Sequence, residues 1–299
     1  MADTIVEVDG KHIKISNLEK VLYPGAHFTK GEVVDYYVRI APFMLPHLEG
    51  RPLTMVRFPD GVEAGSFYMK QCPDYRPDWM KTGPGDLGDT RHCLIDDLPS
   101  LIWVVNLASL EIHTPMAKSV DIDTPTMVVF DLDPGAPADI VDCSRVALQI
   151  RELLETLDLQ SFPKTSGSKG LQLYVPLNSP ATHDRTKAFA KAVAQLLEKR
   201  DPKRITSVMR KDLRGGKVFV DWDQNTRHKT TISPYSMRAR PRPWVSTPLR
   251  WDEVAACAEA GDAAMLTFET ADVLARVAEH GDLFAPTARL EQGLPRLAG

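Results

Sequence analysis

The chain is poor in cysteine and lacks any long apolar run, and each shortage removes a class of protein. Its four cysteines (Cys72, Cys93, Cys143 and Cys257) are scattered through 299 residues with no Cys-x-x-Cys pair. That spacing argues against a structural zinc site and fits a reducing cytoplasm. No apolar stretch approaches the ~18 residues that a membrane span requires, and no stretch resembles a secretory leader, so no membrane partner is expected. Internal repeats and low-complexity segments are also missing. Hydrophobic content of 43% and charged content of 25% are those of an ordinary globular chain. The length suits one large or two small domains, and a single compact catalytic domain over residues 1–299 is expected.

Net charge is only −4, which taken alone argues weakly against a nucleic-acid partner. Its distribution argues the other way. Residues 199–242 hold thirteen Lys/Arg against four acids, a local +9, so the remainder carries −13. A charge run is commonly a solvated face. Here the bases are interleaved with strand-like residues around an aspartate, the pattern of a phosphate-binding surface.

The coarse pattern is mixed. Ser16 or Asn17 is expected to cap a brief helix through Leu22. Thr29-Lys-Gly-Glu32 reads as a capping box opening a helix that runs to a break at Pro46. Helices are expected over 98–107, 140–157 and 185–199, the last with Asp184 as N-cap. Strands are expected over 110–115, 126–135, 171–175, 217–222 and 230–233. Residues 251–280 read as an Ala-rich helical pair serving as scaffold. The Pro-rich stretch 234–248 reads as a basic arm carrying Arg238, Arg240 and Arg242. Without strict β-α-β order, the fold class expected is α+β (mixed α/β) around one core.

The chemistry concentrates in Phe130-Asp131-Leu132-Asp133-Pro134-Gly135. A strand alternates faces, so both carboxylates emerge on one side. Crowded carboxylates repel and raise one another's pKa, which a bridging divalent cation relieves. The bland alternative is a strand ending in a solvated turn. Asp221, at the end of the apolar strand Val218-Phe-Val-Asp, is the best third ligand, with Asp223 expected on the same face. Two ions held there could lower the pKa of an attacking 3′-hydroxyl and neutralise a triphosphate. Thr165-Ser-Gly-Ser-Lys-Gly170 lacks P-loop spacing and precedes a strand, yet its glycines and hydroxyls suit an anion nest beside Lys169. His113, ending a strand in an apolar run, is either a satisfied core residue or part of the same cleft.

Six ordered segments carry a resemblance: Lys20-Val-Leu-Tyr-Pro24, Gly50-Arg-Pro52, Phe130–Gly135, Thr165–Leu171, Gly216–Trp222 and Thr230–Ser236. Over residues 12–285 the chain resembles the polymerase domain of bacterial ligase D, the repair polymerase of non-homologous end joining, in the archaeo-eukaryotic primase superfamily. It is similar also to stand-alone primase-polymerases, since no ligase or nuclease domain accompanies it. The resemblance implies a template-directed nucleotidyltransferase that fills gaps and extends broken ends, favouring ribonucleotides over deoxyribonucleotides. Asp131, Asp133 and Asp221 match its carboxylates for two ions, manganese or magnesium. His113, Ser166, Lys169, Arg214, Gln224 and Arg238 match its nucleotide-holding positions. Lys20 and Lys30 match lysines that grip a downstream 5′-phosphate, and Phe67 an aromatic that stacks on the template. Both lysines are also expected in the first turn of a helix, where N–H donors favour an anion. The implied partners are gapped or broken double-stranded DNA, nucleoside triphosphates, a DNA ligase and the Ku end-binding protein. Two positions depart from the pattern. Gln172 stands where relatives commonly carry His, and Val56 where some carry Lys.

Two rivals are weighed. Val-Val-Phe-Asp-Leu-Asp also opens haloacid-dehalogenase-type phosphatases, but there Gly-Thr follows near the N-terminus, and no later Gly-Asp-x-x-x-Asp appears. A catalytically idle module that bridges DNA ends would use the same basic surface, but would have no need of three aspartates.

Overall fold

Alternating β-branched residues build the two main sheets, and amphipathic helices cover them. In this computed structural model, which describes residues 4–86 and 88–295, the chain divides into two units. The first comprises Met1–Ile122, Thr230–Ser246 and Phe268–Asp282; the second comprises Asp123–Lys229, Thr247–Thr267 and Leu283–Gly299. Strands and helices intermix without regular β-α-β order, which makes the class α+β as expected.

In the first unit a four-stranded antiparallel sheet has the order Thr231–Ile232, Ser109–Thr114, Thr54–Arg57, Phe67–Met69. Helix α1 (Lys30–Leu48) opens on the capping box: the Thr29 hydroxyl accepts from the Glu32 N–H, and the Glu32 carboxylate from the Thr29 N–H. It does not break at Pro46 but runs through Pro42 and Pro46 to Leu48. Each interior proline costs about 3 kcal/mol, and burial of Ile40, Ala41, Met44 and Leu48 offsets that cost. Helix α2 (Leu98–Asn106) is capped by Asp97, which accepts from the Ser100 N–H.

Three further expectations fail in this unit. No helix follows Asn17. That residue is left-handed (φ 55°), and the strand Val21–Tyr23 begins one residue after Lys20 and pairs with Phe28–Thr29. A five-residue helix nucleates poorly, whereas the hairpin satisfies the same backbone groups. The Pro-rich stretch is no surface arm either: Tyr235, Met237 and Val245 are buried in the core, and Tyr36 donates to the Tyr235 carbonyl at 2.8 Å. Finally, Cys72 and Cys93 form a disulfide, a pairing that the reading of four scattered cysteines in a reducing compartment does not provide for. Their separation of 21 residues resembles no local motif, and only the fold brings them together.

The second unit is built on a five-stranded sheet with the order Phe162–Thr165, Leu171–Pro176, Met127–Pro134, Val218–Asp221, Ile205–Thr206. All neighbours are antiparallel except the last pair. Phe130 meets Phe189 of helix α4 (His183–Arg200) edge to face, 6.5 Å between centroids. Helix α3 (Ile140–Glu155) also packs on this strand, starting from a capping box at Asp139. Because Phe130 and its alternates turn toward the helices, Val129, Asp131 and Asp133 emerge on the opposite face. Helix α4 is capped by the Thr182 hydroxyl, not by Asp184, which falls in the first turn where it complements the helix dipole. The tail helices are not a pair: α5 (Trp251–Ala260) packs on α3, and α6 (Thr270–His280) on α1.

Candidate active site

Cross-strand register sets one row of polar residues in the second unit. Lys164 lies opposite Gln172, Gln172 opposite Asp131, and Asp131 opposite Asp221. Directly opposed residues share a face, so the row runs across four neighbouring strands, with Asp133 one pleat along. Lys164 and Gln172 are buried, and Gln172 donates a side-chain hydrogen bond to Asp131. Among the described residues the other end of that amide, Gln172 Oε1, has no hydrogen-bond partner.

Burial pushes the Asp131 carboxyl up to about 7; Asp133 and Asp221 push the same way, while Gln172 and Lys164 oppose them. Burial also raises Asp133, against the charges of Arg214 and Lys211. Asp221 is raised by burial and by Asp133, against Lys229. Among the described residues no three His, Cys, Asp or Glu side chains converge into a finished ion shell. Three acids facing one way, each held above its ordinary range, are nevertheless a donor set that fits hard divalent cations. The cations nearby, Lys164, Lys211, Arg214 and Lys229, do not bring the three acids down to their ordinary range.

Asp223 does not share this face. The strand ends at Asp221, whose carboxylate accepts from the Asp223 N–H, and a 3₁₀ turn (Trp222–Asn225) carries Asp223 to Lys187 at 2.6 Å. That turn is held by Asn225, which accepts from the Val129 N–H and donates to the Val129 carbonyl, both at 2.8 Å. Gln224 is thereby placed in the turn next to Asp221, and it is buried.

The loop Thr165–Gly170 is tighter than an open nest. The Ser166 N–H bonds the Gly170 carbonyl at 2.9 Å, and the Gly170 N–H bonds the Ser166 hydroxyl at 3.1 Å. The Gly167 N–H is taken by the Thr165 hydroxyl. A Cβ on Gly170 would strike the Leu132 carbonyl, so only glycine lets this loop lie against the strand between the two aspartates. On the other side, a Cβ on Gly135 would strike the Arg214 carbonyl. Arg214 stacks its guanidinium over Phe219, 3.6 Å from the ring centroid, and donates to the Met209 carbonyl. The structure thus gathers Asp131, Asp133, Asp221, Ser166, Lys169, Arg214 and Gln224 around one sheet.

The remaining sequence-expected residues belong to the first unit. His113 Nε2 lies 3.0 Å from the Glu111 carboxylate, and Arg238 Nε lies 3.3 Å from it. Burial favours raising Glu111, but the hydrogen bond to His113 and the Arg238 charge outweigh it and hold the acid below its ordinary range. Phe67, on the outermost strand of its sheet, is 43% exposed and lies under the Arg57 guanidinium at 5.1 Å. Lys20 and Lys30 adjoin through a 2.8 Å bond from the Lys30 N–H to the Lys20 carbonyl. Their ammonium groups differ from expectation. Lys20 is at no helix terminus and pairs with Asp60 at 2.7 Å. Lys30 does open α1, but it is buried, donating to the Ser16 carbonyl and to Asn106 Oδ1.

Sequence reasoning missed Glu111, Lys164 and the bracing role of Asn225. Glu111 had a usable signal: it stands two residues from His113 on an alternating strand, hence on the same face.

Three aspartates facing one way thus lie on one sheet, beside a Gly-Ser-Lys loop and an arginine. A family model for the primase-polymerase domain of LigD matches residues 29–284. The chain belongs to that family, which also replaces the dehalogenase reading. It is 43% identical over 280 residues to a multifunctional non-homologous end joining protein LigD of Mycolicibacterium smegmatis, covering 92% of this chain and 36% of that protein. A bifunctional LigD of Bacillus subtilis is 32% identical over 243 residues, 81% of this chain and 39% of that protein. The chain therefore spans little more than a third of the length of these relatives. Among solved structures, the polymerase domain of Mycobacterium tuberculosis ligase D in complex with DNA superposes with a TM-score of 0.86 at 38% identity, covering 94% of this chain and 99% of that one. Among the described residues no helix is long and apolar enough to cross a membrane.

Proposed function

We propose that this chain is a metal-dependent, template-directed nucleotidyltransferase that extends DNA ends and fills gaps, taking nucleoside triphosphates and favouring ribonucleotides. The observation that carries this reading is the row of raised carboxylates, Asp131 opposite Asp221 with Asp133 beside them, in a chain of the LigD primase-polymerase family. Asp131, Asp133 and Asp221 would hold two manganese or magnesium ions, which supply Lewis acidity to a 3′-hydroxyl and countercharge to the triphosphate. The chain's own residues do the rest. Gln172 orients one Asp131 oxygen by its hydrogen bond. Ser166, Lys169, Arg214, Gln224, His113 and Arg238 are the side chains that hold the nucleotide and its phosphates.

DNA is the proposed macromolecular partner, engaged through Phe67 on the template and through Lys20 and Lys30 on a downstream 5′-phosphate, which would have to draw Lys20 from Asp60 and the Lys30 ammonium from the Ser16 carbonyl and Asn106. A ligase and the Ku end-binding protein are proposed as partners on the strength of the multifunctional relatives, and a cytoplasmic setting with them. Primer extension on gapped DNA, with and without a 5′-phosphate and comparing ribo- with deoxyribonucleotides, tests the reading. Metal-dependent addition directed by the template is expected. Binding to DNA ends without addition under any divalent metal would leave an end-bridging module instead.

A further inference from the structure

A buried acid beside the cations that are to grip a triphosphate is at first sight a handicap, because its charge repels the substrate. Glu111 is such an acid. Its side chain is 9% exposed, and it shares a strand face with His113. One carboxylate oxygen lies 3.0 Å from His113 Nε2; the other accepts the Ala239 N–H at 3.0 Å and lies 3.3 Å from Arg238 Nε. Val56, directly opposite across the sheet, offers no charge. Arg238 is fixed independently at its backbone, where its N–H bonds the Trp244 carbonyl and its carbonyl accepts from the Tyr23 hydroxyl. Its Nε, by contrast, makes no hydrogen bond among the described residues. The guanidinium is therefore tethered by the carboxylate's charge.

We propose that Glu111 is a positioning residue for the incoming nucleoside triphosphate, holding the His113 ring and the Arg238 guanidinium in the arrangement that receives it. This deepens the reading above and rests on it. A carboxylate is costly to bury unless paired. It is worth keeping only if the order it imposes on two long or rotatable side chains outweighs the repulsion it adds. Preset donors bind an anion more tightly because their rotamers need not be frozen on binding.

Two readings predict opposite signs. If Glu111 acts only through its charge, neutralising it without changing its shape removes repulsion, and triphosphate binding tightens. If it acts by positioning, the same change loosens His113 and Arg238, and binding weakens. The test uses the full chain with E111Q, H113A, R238A and the doubles E111Q/H113A and E111Q/R238A. Nucleotide KM and kcat are read in primer extension, and affinity for a fluorescent nucleoside triphosphate is read without turnover. The expected result is a KM about tenfold higher in E111Q with kcat changed far less, matched by weaker binding of the probe. Each double should fall short of additivity, because one of the two groups that Glu111 holds has already been removed. E111Q is isosteric, and circular dichroism reports its fold at the assay temperature.

An unchanged or lower KM in E111Q overturns the proposal, as does full additivity in both doubles. Unchanged KM in both H113A and R238A is a different failure: it removes these two residues from nucleotide binding, and the proposal falls with them.

Discussion

Two acidic centres lie in different units of this molecule, and burial acts on both. In the second unit it wins: Asp131, Asp133 and Asp221 face their own kind, and all are raised. In the first unit it loses: Glu111 is more enclosed than any of the three aspartates, but His113 and Arg238 hold it low. Depth of burial is thus a poor guide to the state of a carboxylate, and the sign of its neighbours decides. The first centre has its countercharge built into the chain. The second is short of it, and so is the one suited to recruit cations from solution.

The largest expected effect tests that second statement. Asp133→Ala or Asp221→Ala should lower nucleotide addition by about a thousandfold or more, with the fold and DNA binding retained. Full activity in either variant at ordinary manganese concentrations would remove the two-ion assignment. The next effect sets the centres against each other. Without metal, Asp131→Asn should raise stability by roughly 1–4 kcal/mol at neutral pH, because it removes a buried repulsion. Glu111→Gln should lower stability, since an attraction is lost. A shift of the same sign in both melting curves would break the contrast.

The pH dependence follows the same signs. Asp131 is raised from the ordinary aspartate value of 3.8 to about 7. Its favourable contribution is complete below the unfolded value and is lost as pH climbs through the folded one, so the metal-free protein should weaken across that window. Glu111 is lowered, so its contribution is present above the ordinary glutamate range and disappears as pH falls through the folded value.

A smaller effect concerns the nucleotide. Lys169→Ala and Arg214→Ala should each raise its KM about tenfold, the value of one charge-assisted contact. If neither moves it, both side chains belong to the DNA backbone. The smallest effect concerns strand ends. Gapped DNA carrying a 5′-phosphate should bind about tenfold more tightly than its 5′-hydroxyl counterpart, less so at high salt, and equally in the Lys20→Ala, Lys30→Ala double variant. Equal binding of the two substrates by the unaltered chain would end the claim of end recognition.

Much of this was legible in residue order. Period-two alternation placed Asp131 and Asp133 on one face, and the apolar strand ending in Asp221 supplied the third acid. The capping box at Thr29 was visible because it is local. What was not legible depends on pairing across the chain. Register alone makes Lys164 the far end of the aspartate row, and no window around residue 164 contains that fact. The turn after Asp221 sends Asp223 to Lys187 because a hydrogen bond from its own backbone ends the strand, against simple alternation. Lys20 and Lys30 were expected at helix starts. The hairpin between them overrode weak local helix propensity at the first, and burial turned the ammonium of the second inward.

Asn225 limits which sequences this family member can drift to. Its one amide occupies both the N–H and the carbonyl of Val129. Aspartate has the acceptor but no donor, leucine has neither, and glutamine has both but one methylene too far out. A side chain that only braces the turn after Asp221 is therefore among the least replaceable in the chain. A survey of tolerated substitutions should find position 225 as intolerant as the aspartates, but through lost folding yield, with the protein that does fold still able to add nucleotides.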